Sequence, residues 1–122
     1  MINNLSIKTV DKSIDINGLR LPLYDSYSFG NITSTVEKIL TGQSKQIILP
    51  KDTLPSDLSK YRNVVVVLVD AMGWNLIERN IDTHPALKYI NNNGIISKLT
   101  AIFPSTTANC VTCMNTGNTS LD

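Results

Sequence analysis

Two short polar segments of this sequence contain residue types that could carry out chemistry together. Asp70 follows directly after six apolar residues, 64–69, and Thr107 is the last of three successive hydroxyl side chains that begin at Ser105. A hydroxyl is a weak nucleophile unless a base or a metal ion activates it, and no histidine lies within residues 103–117. A metal ion held by the Asp70 carboxylate could activate the hydroxyl instead.

The run 64–69 predicts the element that positions Asp70. Four consecutive valines within six apolar residues favour a strand that is buried on both faces. Ligand sites of open parallel sheets lie just outside the carboxyl ends of the strands, which makes Asp70 a candidate ligand. The alternative is that Asp70 only caps the helix predicted from Trp74 to Arg79, or fixes the turn before it.

A second strand, predicted for residues 95–103, precedes the hydroxyl cluster. Pro104 ends this strand, and the sequence from Thr107 onward favours a helix, so the hydroxyls lie at a helix N-terminus. Free N–H groups and the helix dipole stabilise an oxyanion there, although a simple Ser/Thr cap is the alternative. The order strand, helix, strand, helix implies a right-handed parallel crossover in an α/β sandwich, with Asp70 and Thr107 in one crevice.

The pattern divides the chain into two parts. In residues 1–61 the sequence predicts a lead-in with short strands and one helix. The strands include residues 13–18, which alternate between apolar and polar, and residues 46–49; the helix covers residues 31–40 and is closed by Gly42. In residues 62–122 the sequence predicts a βαβ unit of an α/β domain that carries Asp70 and Thr107, with a second helix that ends at Gly94.

Composition excludes several classes of protein. The chain has 122 residues, 42% of them apolar, and a formal net charge of +1 without a basic stripe, which argues against nucleic-acid binding. No signal-peptide pattern is present, and six residues are too few to span a bilayer, so we expect a cytoplasmic protein that binds no membrane. Cys110 and Cys113 form no disulfide framework and are interpreted as small buried residues rather than a redox pair.

Together, the segments VVVVLVDAMGW and FPSTTANCVTCMNTG resemble the alkaline phosphatase superfamily, especially its type I phosphodiesterase and nucleotide pyrophosphatase branch. In that family a strand ends in a metal-binding Asp before a turn, and a nucleophilic Thr or Ser opens a helix that ends in Thr-Gly ten residues later. Counting back from Gly117 selects Thr107 as the nucleophile ahead of Thr106, which stays an alternative. The absence of Cys-x-Pro-x-Arg argues against the sulfatase branch.

The resemblance implies a three-layer sandwich with a mostly parallel sheet, of which this chain is the N-terminal portion. It implies a hydrolase that cleaves a small phosphate ester through a phosphothreonine intermediate. Asp70 and Thr107 would bind divalent metal ions, commonly two zinc ions, with magnesium or manganese as alternatives.

The sequence departs from the family pattern after the nucleophile. The family has further Asp and His ligands downstream, whereas the single histidine, His84, precedes Thr107. We therefore expect an incomplete site, an isolated chain without activity, and self-association through an exposed sheet edge. The rival hypothesis is a small α/β binding or interaction domain without catalysis, in which Asp70 and Thr107 are only caps.

Overall fold

The computed structural model describes residues 1–14 and 17–118, and within them the regular structure is helical. The five α-helices are α1 (Asn4–Asp11), α2 (Ile32–Thr41), α3 (Trp74–Asn80), α4 (Pro85–Asn93) and α5 (Thr107–Thr116). Short 3-10 helices cover Phe29–Asn31, Lys51–Thr53 and Leu58–Lys60. In this described part, no helix has the length and apolar character needed to cross a membrane. Residues 15–16 of the predicted alternating segment, and the final residues 119–122, lie outside the described residues.

The predicted three-layer sandwich with a mostly parallel sheet is wrong for the described residues, where β-structure is limited to isolated bridges. Residues 64–69 make no backbone hydrogen bonds there, and Val65 and Val67 are 85% and 77% exposed. A β-branched run becomes a strand only when neighbouring backbone pairs with it and other layers cover its faces. The sheet edge expected to drive self-association is therefore missing too, while self-association itself stays a prediction.

Two more of the predicted strands also fail, for a related reason. Residues 95–103 are held by two isolated parallel bridges, Ile2 to Ile96 and Ser28 to Thr100, rather than by a ladder. In residues 46–49, the Leu49 N–H donates to the side-chain oxygen of Thr35 at 2.8 Å instead of to a neighbouring strand. Side chains and single bridges thus satisfy backbone groups that a sheet would otherwise pair.

The helices follow the sequence pattern closely. As predicted, α2 ends at Gly42, which has a φ of 77° and donates its N–H to Lys38 O at 3.0 Å. The predicted start of α3 at Trp74 and the end of α4 before Gly94 are confirmed as well. Helix α1 was not predicted; its cap is Asn3, whose Oδ1 accepts from two backbone N–H groups at 3.1 Å each.

Residues 95–102 connect the N-terminus to the start of α5. Ile96 exchanges backbone hydrogen bonds with Met1 and Asn3 at 3.0 and 2.9 Å, and Thr100 does so with Tyr27 and Phe29 at 2.8 and 2.9 Å. Ile96 and Ile102 of this segment are buried; the other buried apolar residues of the described part include Val10, Tyr27, Leu49, Ile81, Leu87 and Cys113. The segment therefore ties the N-terminus and residues 27–29 to the chain that leads into α5.

Asp52 links three distant parts of the chain through its carboxylate. Its Oδ2 accepts hydrogen bonds from Asn3 Nδ2 at 2.6 Å and from the Tyr27 hydroxyl at 2.8 Å, and Asn3 Nδ2 also reaches Ser97 Oγ at 3.0 Å. Burial pushes the pKa of Asp52 upward, but the two hydrogen bonds outweigh it and the pKa lies below its ordinary value. Burial, followed by the hydrogen bond to Asp52, raises the pKa of Tyr27 to about 12.

Candidate active site

Asp70 lies on a tight turn between residues 64–69 and α3. Its Oδ1 accepts a hydrogen bond from the N–H of Ala71 at 2.8 Å, which restricts the orientation of the carboxylate. Ala71 has a φ of 57°, in the left-handed region that costs a residue with a Cβ about 1–2 kcal/mol. The chain thus accepts local strain at the residue after Asp70.

Two adjacent threonines open α5 and have different environments. Thr106 is the N-cap residue, and its hydroxyl oxygen accepts from Asn109 N at 3.3 Å. Thr107 is the first residue of the helix, so its hydroxyl takes no part in this cap. The Asn109 side chain donates to Pro104 O at 3.2 Å, which fixes the bend before the helix.

The two residues singled out from the sequence lie side by side. Thr107 Oγ1 is 3.4 Å from both Oδ1 and Oδ2 of Asp70, although 37 positions separate them in the chain. This separation exceeds the usual 2.5–3.0 Å of an O–H···O hydrogen bond, so the hydroxyl contacts the carboxylate only weakly. Both side chains are exposed and accessible to a ligand.

A cavity of about 420 Å³ adjoins this pair. Its lining combines the Asp70 turn, the start of α5 and apolar side chains; these residues are Phe29, Leu68, Val69, Asp70, Ala71, Met72, Gly73, Ala101, Ser105, Thr107 and Cys110. The sequence prediction missed Phe29, for which no local pattern gives a signal. Cys110 could have been found from its position three residues after Thr107, since such residues share a helix face.

The two cysteines differ in their surroundings. Cys113 is 2% exposed, which confirms its interpretation as a small buried residue, whereas Cys110 is only partly buried and borders the cavity. Neither cysteine forms a disulfide within the described residues. His84 is an exposed residue at the N-cap of α4, as expected for a solvated loop position.

The described donors fit part of a metal site. Asp70 and Thr107 offer oxygen atoms on one side of the cavity, but residues 1–14 and 17–118 contain no cluster of three or more His, Cys, Asp or Glu side chains suited to a metal ion. Catalytic zinc normally has three protein ligands. These residues alone therefore do not complete a metal centre.

Comparison with known protein families gives a match over part of the second half of the chain. No curated protein and no solved structure matches it. Residues 64–120 match the model of a family described as type I phosphodiesterase / nucleotide pyrophosphatase, and this range includes both Asp70 and Thr107. The match supports a hydrolase of phosphate esters in general. The resemblance inferred from the two motifs is therefore confirmed, and residues 64–120 carry the sequence pattern of the type I phosphodiesterase / nucleotide pyrophosphatase family.

Proposed function

We propose that this chain supplies the nucleophile, Thr107, and one metal ligand, Asp70, of a metal-dependent phosphatase or phosphodiesterase. The observation that carries the proposal is the 3.4 Å separation between Thr107 Oγ1 and both carboxylate oxygens of Asp70. Both residues belong to the segment that matches the phosphodiesterase family. The substrate is a small phosphate ester that enters the adjoining cavity.

The reaction proceeds in two displacements on phosphorus. The Thr107 hydroxyl loses its proton as Oγ1 forms a bond to phosphorus, the bond to the ester oxygen breaks, and that oxygen takes up one proton and leaves as an alcohol. Water then attacks the phosphothreonine, releases the phosphate product and restores the threonine hydroxyl. Free N–H groups in the first turn of α5 stabilise charge on the phosphoryl oxygens.

A divalent ion, zinc or alternatively magnesium or manganese, would lower the pKa of the hydroxyl and stabilise the leaving oxygen. Asp70 provides a carboxylate for such an ion. The described residues contain no three-membered donor cluster, so these residues do not complete such a site by themselves. Our proposal therefore includes the expectation that the 122-residue chain alone lacks activity.

Thr107 is preferred over Thr106 because the two hydroxyls have different partners. The Thr106 oxygen already accepts the hydrogen bond that caps α5, whereas the Thr107 hydroxyl faces the Asp70 carboxylate. A nucleophile needs a free lone pair and access to the substrate. These contacts support Thr107 as the nucleophile and Thr106 as its structural neighbour.

The proposal is tested by hydrolysis of p-nitrophenyl phosphate and bis-p-nitrophenyl phosphate by the complete gene product, with zinc, magnesium or manganese added. We expect Thr107→Ala and Asp70→Asn to lower kcat by about 10³-fold or more, since each removes a group that acts on the transition state. Thr106→Ala is the matched control and should keep kcat within about ten-fold, because it removes a cap of about 1 kcal/mol. Full activity of Thr107→Ala would refute the proposal and favour the non-catalytic alternative.

The 122-residue chain provides a second arm of the experiment. Under the same conditions it should show no turnover above background. A metal-dependent turnover that disappears in Thr107→Ala would disprove the incomplete site while it would support Thr107 as the nucleophile.

A further inference from the structure

Lys98 lies between the N-terminal helix and the turn that carries Asp70. Its Nζ is 2.6 Å from Asp11 Oδ1 and 5.4 Å from the centre of the Trp74 ring. The Lys98 side chain is only 13% exposed. A cation within about 6 Å of an indole face is attracted by the electron density of the ring.

Helix α1 holds Lys98 through both its backbone and its side chain. The Lys98 N–H donates to Ser6 Oγ at 2.9 Å, and Ser6 is completely buried. The Asp11 carboxylate also pairs with Arg20 at 3.2 Å, and its pKa is lowered, chiefly by the hydrogen bond from Lys98. Lys98 therefore has little freedom to leave the position from which it contacts Trp74.

The segment 70–80, in contrast, is poorly buried, and none of the residues of α3 is buried. Its side-chain contacts to distant parts of the chain include Asp70 with Thr107 and Trp74 with Lys98. Trp74 is the first residue of α3 and follows Asp70 by four positions, so a restraint on the indole also restrains the turn.

We propose that Lys98 is a positioning residue: it holds Trp74 against α1 and thereby keeps the Asp70 turn next to Thr107. The anchoring of the turn is independent of the reaction, whereas its importance for catalysis rests on the function proposed above. Lys98 contacts neither the cavity nor a reacting atom, and it acts only through Trp74.

The anchoring is tested in the 122-residue chain by hydrogen–deuterium exchange and by acrylamide quenching of fluorescence from Trp74, the single tryptophan. In Lys98→Met we expect the rate of amide exchange in residues 70–80 to increase about two- to five-fold, which is the factor that corresponds to loss of a partly exposed cation–π contact. Acrylamide should also quench the fluorescence of Trp74 more strongly. Exchange in α2 and α5 should stay unchanged. Lys98→Arg should restore the wild-type values, because a guanidinium can contact both the carboxylate and the ring.

Lys88→Met, at an exposed position of α4, is the matched control and should change neither measurement. Unchanged exchange of residues 70–80 in Lys98→Met would overturn the proposal. A uniform rise across all helices would also overturn it, since that result means general destabilisation rather than anchoring of one turn.

Assays of the complete gene product separate this inference from the proposed function. Lys98→Met should lower kcat by about two- to five-fold and leave KM nearly unchanged, because it loosens a reacting group without touching the substrate. If Thr107→Ala keeps full activity while the exchange result holds, the proposed function fails and the anchoring stands. If Thr107→Ala is inactive but Lys98→Met behaves as wild type in exchange and kcat, the anchoring fails alone.

Discussion

The Tyr27–Asp52 hydrogen bond should make the stability of this chain sensitive to alkaline pH. Tyr27 is 5% exposed, and its pKa is raised from 10.0 to about 12, first by burial and then by the hydrogen bond and charge of Asp52. The folded chain therefore keeps a proton on Tyr27 at a pH where the unfolded chain has lost it. The stabilisation is complete below pH 10 and is lost as the pH rises toward 12.

The size of this loss follows from the two pKa values. With unfolded and folded values of 10.0 and about 12, the free energy of unfolding falls by about 1.4 kcal/mol from about pH 9 to about pH 11. Asp52 is exposed, and solvent screens its charge. We therefore expect a measured loss of about 0.7–1.4 kcal/mol attributable to Tyr27.

Urea unfolding at several pH values, followed by circular dichroism, measures this loss. Tyr27→Phe should lack the part of the alkaline decrease in unfolding free energy that comes from Tyr27. The decrease that remains in Tyr27→Phe measures the contribution of the other tyrosines and the lysines. Tyr61→Phe is the matched control, because Tyr61 is 45% exposed and its removal should leave the wild-type pH dependence in place. The reasoning is refuted if Tyr27→Phe and the wild type lose the same free energy between about pH 9 and about pH 11.

Substitutions at Ala71, Gly42 and Gly117 test backbone positions in the left-handed region by urea unfolding. Ala71→Val should destabilise the chain by about 1–2 kcal/mol because a β-branched side chain fits the left-handed region poorly, whereas Ala71→Gly should be neutral or stabilising. Equal stability of the wild type and both variants would contradict the turn geometry. Gly117→Ala and Gly42→Ala should each cost about 1 kcal/mol, since both glycines have φ above 70° at helix ends. A Cβ at Gly117 would lie 2.8 Å from Gln46 Oε1, but the flexible Gln46 side chain can move away. A much larger loss of unfolding free energy in Gly117→Ala than in Gly42→Ala would show that Gln46 is held in place.

The helices were predictable because their signals are local. Gly42 and Gly117 adopt the left-handed conformation that glycine favours after a helix, and Pro85 occupies the first turn of α4 where its missing N–H costs nothing. Helix α1 escaped prediction although Asn3 is a favourable N-cap residue, because its apolar residues are sparse.

The strands were not predictable from residue preference alone. The valines of residues 64–69 favour extended backbone, but burial on two faces depends on partners that the pattern cannot specify. Asp70 and Thr107 were predicted to lie close together because each would follow one of two adjacent parallel strands. In the described residues they do lie close together, but without a sheet. The family match covers both motifs, whereas the place of Phe29 in the cavity lining and the contact between Lys98 and Trp74 depend on tertiary structure that no local pattern specifies.

The exposed valine run has a consequence for the chain in solution. Residues 64–69 are uncharged and lack proline, and their side chains face water at Val65, Val67 and Val69. Such six-residue segments favour cross-β stacking between molecules, with identical side chains interlocking in a dry interface. Arg62 and Asp70 flank the run as charged gatekeepers that oppose this stacking. We therefore expect Asp70→Asn to raise the tendency of the chain to aggregate as well as to remove the proposed metal ligand.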